Sequence, residues 1–169
     1  MLSDDTAADR EQSRIDGSKD RNQAPAAGLL RRLKANWDEW LFALAGLPVS
    51  RLTEPGVAGD WSVHDLMGHV AVWEGLALDR TRRLITGEVV ERVDWRTINS
   101  RGVAERAGRS GMALRADMER THGQLVAFIG GLTRAELRMT GLRSRLRSTA
   151  THSQEHAAQV RAWRGRVGL

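Results

Sequence analysis

The sequence predicts an all-α protein, an antiparallel four-helix bundle, and three observations carry that prediction. Four segments bear apolar residues at steps of three and four. No segment alternates apolar and polar residues as a half-exposed strand would. Helix start and stop residues stand at several of the segment ends. Four helices, each with a single apolar stripe, bury those stripes by packing around a common axis.

The elements follow in chain order. Residues 1–25 are polar, charged and poor in large apolar side chains, so a disordered tail is expected there, with one bundle domain over 26–169. Leu30, Leu33, Trp37, Trp40/Leu41 and Leu44 form the first stripe, which Gly46 and Pro48 stop. The segment to Asp60 reads as a loop. Ser62 and Asp65 resemble a capping box. The helix they open carries Val63, Leu66, Val70, Trp73, Ala77 and Leu84 on one face, and Gly87 can end it. On its helical phase His69 lies beside this stripe and His64 lies on the far side, facing solvent. A short helix is expected over Asn99–Arg106. Ser110 can cap the next long helix, whose face holds Leu114, Met118, His122, Leu125, Ile129 and Leu132. Thr133 and Glu136 form a second capping box, and the last helix begins between Gly141 and Thr151.

Composition narrows the function classes. There is no cysteine among the 169 residues, which excludes disulfides, a thiolate metal site and a protein thiol nucleophile. No secretory signal or membrane-length apolar run is present, so a bacterial-type cytoplasmic protein with no membrane partner is expected. The net charge is +5, nearly all from arginine. The arginines are dispersed, apart from Arg143, Arg145 and Arg147. Six Trp, two Phe and no Tyr give no aromatic–basic signature, so the charge reads as solvated surface rather than a nucleic-acid site.

The chemistry concentrates in THSQEHAAQVRAW, residues 151–163. His152 and His156 stand one helical turn apart on one face, shared with Val160 and Trp163. Two imidazoles so placed can bind one metal ion, with a third ligand from elsewhere. The other reading is a pair of hydrogen-bonded histidines on a half-buried helix. His69, facing inward from the second long helix, offers the third imidazole. Three neutral imidazoles suit zinc, nickel or ferrous iron and leave a position open. His122 reads as a fourth ligand, a proton shuttle or, preferably, a hydrogen-bonded core histidine. Trp61 and Trp73 read as core or pocket wall.

The pattern Trp61-Ser62-x-x-Asp65-x-x-x-His69-x-x-x-Trp73-Glu74, followed by His152-x-x-x-His156-x-x-Gln159-Val160, resembles the DinB-like (YfiT-related) four-helix metalloprotein superfamily. The HAAQVRAW stretch and the Asn99 segment look closest to its ClbS/DfsB-type branch. That branch often carries a Trp or Tyr before the first of these two histidines and a Tyr after it. Here Thr149, Ala150, Thr151 and Ser153 stand instead. The resemblance spans about residues 26–165 and implies His69, His152 and His156 as ligands of a divalent metal. His122, Trp73 and Gln159 are then candidates to hold the ligands or line the pocket.

What the resemblance implies about function is a metal-dependent transferase that uses a low-molecular-weight thiol, or a hydrolase, acting on a small molecule, with electrophiles among the candidates. Since the chain has no cysteine, any thiol is a co-reactant. The alternative is a non-catalytic binding, sequestering or self-protection protein on the same bundle. A nucleic-acid partner is disfavoured, and a homodimer is consistent with the class.

Overall fold

The computed structural model describes residues 26–169. The expected tail at 1–25 lies outside the described residues. The described chain holds five α-helices: α1 over residues 26–44, α2 Val63–Ile85, α3 Trp95–Ala104, α4 Gly111–Gly130 and α5 Leu142–Val167. Two 3-10 turns, Val49–Arg51 and Glu136–Arg138, lie in the connections. Among the described residues there is no strand, only an isolated bridge between Ala58 and Trp61.

Local chemistry sets the helix ends. The Ser62 side chain accepts from the Asp65 N–H, while the Asp65 carboxylate accepts from the Ser62 N–H, so two orphan donors at the start of α2 are satisfied. Ser110 caps α4, and Thr133 and Glu136 complete their box before a single 3-10 turn. α5 starts at the early limit of its expected range, directly after Gly141, whose φ of 79° suits a residue with no Cβ. α3 begins at Trp95, earlier than expected. The cause is Asp94, whose carboxylate accepts from the Arg96 N–H and the Thr97 hydroxyl.

Cross-helix contacts give the directions. Trp37 stacks on His122 and Trp40 donates to Met118 Sδ, so α1 and α4 run antiparallel. Asn36 bonds to the Ala150 carbonyl and Arg164 to that of Ala43, so α1 and α5 run the same way. Gly111 lies beside Met67, and His122 beside Glu74, so α2 and α4 are parallel to each other. The bundle is therefore antiparallel in the order up, down, down, up. Two successive long helices that point the same way need a return crossing. Residues 86–110 supply it, and α3, which packs on α2, lies within it.

Two apolar clusters fill the bundle. One is built around Trp40, Val63, Leu66, Met118, Val160 and Trp163. The other is built around Leu33, Leu78, Leu125, Ile129, Leu142 and Leu146. Each fully buried large side chain contributes about 1.5–3 kcal/mol of hydrophobic stabilisation. Between the clusters every long helix buries a polar residue: Asn36, Glu74, His122 and Ser153. Glu74 is 1% exposed, and its carboxylate accepts from His122 Nδ1 at 3.0 Å.

The solvent-facing reading of His64 is corrected. His64 is buried, and its Nε2 lies 2.7 Å from the Arg109 carbonyl oxygen, to which it donates. The crossing from α3 to α4 covers the face of α2 that a single-stripe helix would leave in water. Trp73 and Ala77 show the converse. They belong to the expected stripe, yet they are only half-buried and line a cavity.

Candidate metal centre

The antiparallel pairing of α2 with α5 brings His69 to the pair on α5. His69 Nε2 lies 2.9 Å from His152 Nε2, which lies 3.0 Å from His156 Nε2. One nitrogen from each of the three rings falls within 4.8 Å of the others. His69 and His156 are 7% and 9% exposed, and His152 is half-buried. Tilted rings pack around them: Trp61 at 4.9 Å and Trp73 at 6.0 Å from His69, centroid to centroid.

Burial disfavours the charged form of each ring. It pushes His69 from 6.5 down to about 3; the charge of His156 acts in the same direction, and the Asn99 side chain opposes it. His152 is likewise pushed to about 3 by burial and then by His156 and His69. Burial lowers His156 too, against the Gln159 hydrogen bond and the Glu155 charge. The rings are therefore neutral near pH 7. His156 Nδ1 donates to Gln159 Oε1 at 2.7 Å, which leaves the His156 Nε2 lone pair facing the other two rings.

Three neutral imidazoles that meet Nε2 to Nε2 cannot satisfy one another. His152 Nε2 has at most one proton for two facing nitrogens. A cation relieves that conflict. A tetrahedral zinc with bonds of about 2.0–2.1 Å separates its ligand nitrogens by roughly 3.3 Å, a few tenths beyond the two close pairs and inside the 4.8 Å that bounds all three. The donor set therefore fits a divalent metal.

The cluster opens on a cavity of about 790 Å³, walled by Trp61, Trp73, Leu76, Val93, Trp95 and Leu146. Trp73 Nε1 donates to Asn99 Oδ1 at 2.8 Å, which ties α3 to α2 at the cavity wall. Glu155 supplies a carboxylate to the lining, and Gln159 also lines it.

His122 lies elsewhere. Its ring stacks on Trp37 with centroids 3.7 Å apart and planes at 3°, and its Nδ1 is held by Glu74. It is buried in the core and is not among the residues that line the cavity. Among the residues that sequence reasoning passed over, Asn99 carried a signal in the short helix that Asp94 caps. Arg80 carried none; like Arg145, it lines the cavity.

The model of the DinB superfamily matches residues 32–160. The chain belongs to the DinB superfamily. No curated protein matches this sequence. Solved structures of similar fold include an uncharacterised protein of Escherichia coli UTI89, at 18% identity, 85% coverage of this chain, 95% of that chain and a TM-score of 0.73. The colibactin self-resistance protein ClbS, in complex with a double-stranded DNA, is similar at 16% identity, 81% and 93% coverage and a TM-score of 0.69. The Sibling Lethal Factor Precursor DfsB is similar at 16% identity, 83% and 95% coverage and a TM-score of 0.73. At these identities the likeness is one of fold, and this DinB-superfamily chain shares its bundle with proteins named for different roles.

Proposed function

We propose that this DinB-superfamily chain is a metal-dependent enzyme acting on a small molecule, as a transferase that uses a low-molecular-weight thiol or as a hydrolase. The observation that carries the reading is the convergence of three neutral imidazoles on one point in the wall of an apolar cavity. His69, His152 and His156 would hold the ion. When bound, a divalent metal with an open position supplies Lewis acidity and brings the pKa of water or a thiol toward neutrality.

The chain's own residues do the rest. Gln159 holds the His156 proton at Nδ1 and so keeps Nε2 free as a ligand. The Glu155 carboxylate, the one acid among the described lining residues, can take a proton from the entering nucleophile. Trp61, Trp73 and Trp95 exclude water from the bound molecule. With no cysteine in the chain, a thiol arrives as co-substrate.

The test is metal content per chain in protein purified without a nickel column, together with turnover. Zinc-, nickel- and iron-supplied wild type is compared with His156→Ala for conjugation of a small electrophile to a thiol and for hydrolysis of an activated ester. Near one metal per wild-type chain, with both metal and turnover lost in a folded His156→Ala, is expected. Metal without turnover would instead favour the alternative of a non-catalytic sequestering protein, a reading supported by the self-resistance role named for ClbS. The DNA bound to ClbS supports a nucleic-acid partner as a further reading. Strongly salt-dependent duplex binding would favour it.

A further inference from the structure

The cavity has two chemically unlike ends. The three histidines form one, and two arginines, Arg80 of α2 and Arg145 of α5, also line it. Arg80 lies eleven residues beyond His69, and Arg145 lies seven residues before His152. Because α2 and α5 run antiparallel, both displacements point the same way along the bundle, by about 16 and 10 Å at 1.5 Å per residue. Both arginines therefore belong to the end of the cavity away from the histidines, where Arg80 is half-buried and Arg145 exposed.

Neither guanidinium has a partner among the described residues. The ion pairs there engage other cations: Arg51, Arg83, Arg101, Arg106, Arg109 and Arg115 are examples. Burial lowers the pKa of Arg80, and the charges of Arg145 and Arg83 lower it further, with Asp79 opposing. The like charges are therefore close enough to repel. An anion between Arg80 and Arg145 would remove that repulsion and use the planar donor fork of each.

Between the two ends the walls are mainly apolar, Trp73, Leu76, Trp95 and Leu146 among others, with Asn99, Ser148 and Thr149 adding polar groups. Trp95 is 56% exposed, carries the Arg96 guanidinium 5.0 Å from its ring centroid and lends part of its surface to the cavity wall. A convex basic face would suit a duplex, whereas these arginines stand at the end of a concave apolar cavity.

We propose that the cavity takes an elongated small molecule with an apolar body and a terminal carboxylate, phosphate or sulfonate, the anion held by Arg80 and Arg145 and the opposite end at the three histidines. Placing the reactive end at the histidines rests on the metal-enzyme reading above; the anion end does not.

Two probes separate these claims. Suberic acid monohydroxamate and octanohydroxamate share a metal-binding head and an eight-carbon chain, and only the first ends in a carboxylate. Their binding to the zinc-supplied full chain is measured by calorimetry for wild type, Arg80→Gln/Arg145→Gln and His152→Ala, with helical content checked in each. The arginine double substitution is expected to weaken the carboxylate probe by roughly tenfold and leave octanohydroxamate within about twofold. The carboxylate probe's advantage should also shrink with added salt. Equal loss of both probes, or no loss of either, would overturn the inference. Loss of duplex-oligonucleotide binding in the arginine variant, with the ratio of the two probes unchanged, would overturn it in favour of nucleic-acid phosphate. If wild type takes up none of zinc, nickel and iron, the metal reading fails. The same pair on metal-free protein still reads the arginines, because the probes differ only at the far end.

Discussion

Gln159 Oε1 accepts a hydrogen bond from His156 Nδ1 across 2.7 Å, within one turn of α5. This contact fixes the tautomer of the ring and directs a lone pair, rather than a proton, at His152 and His69. Gln159 is itself exposed, so its side chain contributes little to packing. Gln159→Leu should therefore leave the melting temperature nearly unchanged and weaken metal binding by about 10–100-fold. Gln159→Glu, which keeps the acceptor, should retain it. Metal titrations of the two folded variants provide the check; equal affinities would show that the contact does not orient the ligand.

The triad itself separates from the other histidines. His69→Ala, His152→Ala and His156→Ala should each remove most metal while the bundle stays helical. His64→Ala should do the opposite. It keeps the metal but leaves the Arg109 carbonyl without its donor and opens space beneath the α3–α4 crossing, at a cost of about 1–3 kcal/mol. Metal content beside denaturant unfolding distinguishes the two behaviours. Metal loss in His64→Ala equal to that in His69→Ala would contradict the assignment.

Acid should destabilise the metal-free protein through the triad. The folded-state values of His69 and His152 sit near 3, below the 6.5 of an unfolded chain, chiefly through burial. Between those values the unfolded chain takes up protons that the folded chain refuses. Stability is thus fully present above about 6.5 and is lost as pH falls through that window toward 3. A variant with the triad histidines replaced by Gln should lose less stability over the same range. Parallel slopes for the two proteins in denaturant titrations would refute the linkage.

Glu74 carries the opposite sign. Burial raises its carboxyl above the ordinary 4.5, against the hydrogen bond and charge of His122. Its contribution is full below the unfolded value and is lost as pH rises through the raised one. Glu74→Gln should gain on wild type as pH rises through that range. His122→Ala leaves the buried carboxylate unpartnered and empties the space against Trp37, which should cost about 3–5 kcal/mol without changing metal content. Thermal melts across pH test the first expectation, and metal analysis of the folded fraction tests the second.

The start of α2 offers a purely local test. Ser62→Ala removes one half of the capping box and should cost about 1 kcal/mol. The Asp65 carboxylate would keep its bond from the residue-62 N–H, so the helix should shorten or fray rather than move. A melting temperature unchanged from wild type would mean that packing, not the cap, sets this end.

The sequence by itself determined what acts over three or four residues. The apolar stripes of α1 and α4, the boxes at Ser62/Asp65 and Thr133/Glu136, the Ser110 cap and the one-turn spacing of His152 and His156 are all local, and each is found in the fold. The inward phase of His69 was legible for the same reason. Tertiary structure decided which faces meet. His69 and His152 stand 83 residues apart, and their contact depends on α2 and α5 running antiparallel. The parallel course of α2 and α4 forces the crossing that buries His64, lays α3 against Trp73 and closes one wall of the cavity. The same arrangement brings Arg80, which is half-buried, and Arg145, which stays exposed, to one end of the cavity. Helical periodicity gives the phase of each stripe, but a helix packed on several sides has several buried faces, and only its neighbours determine which faces those are.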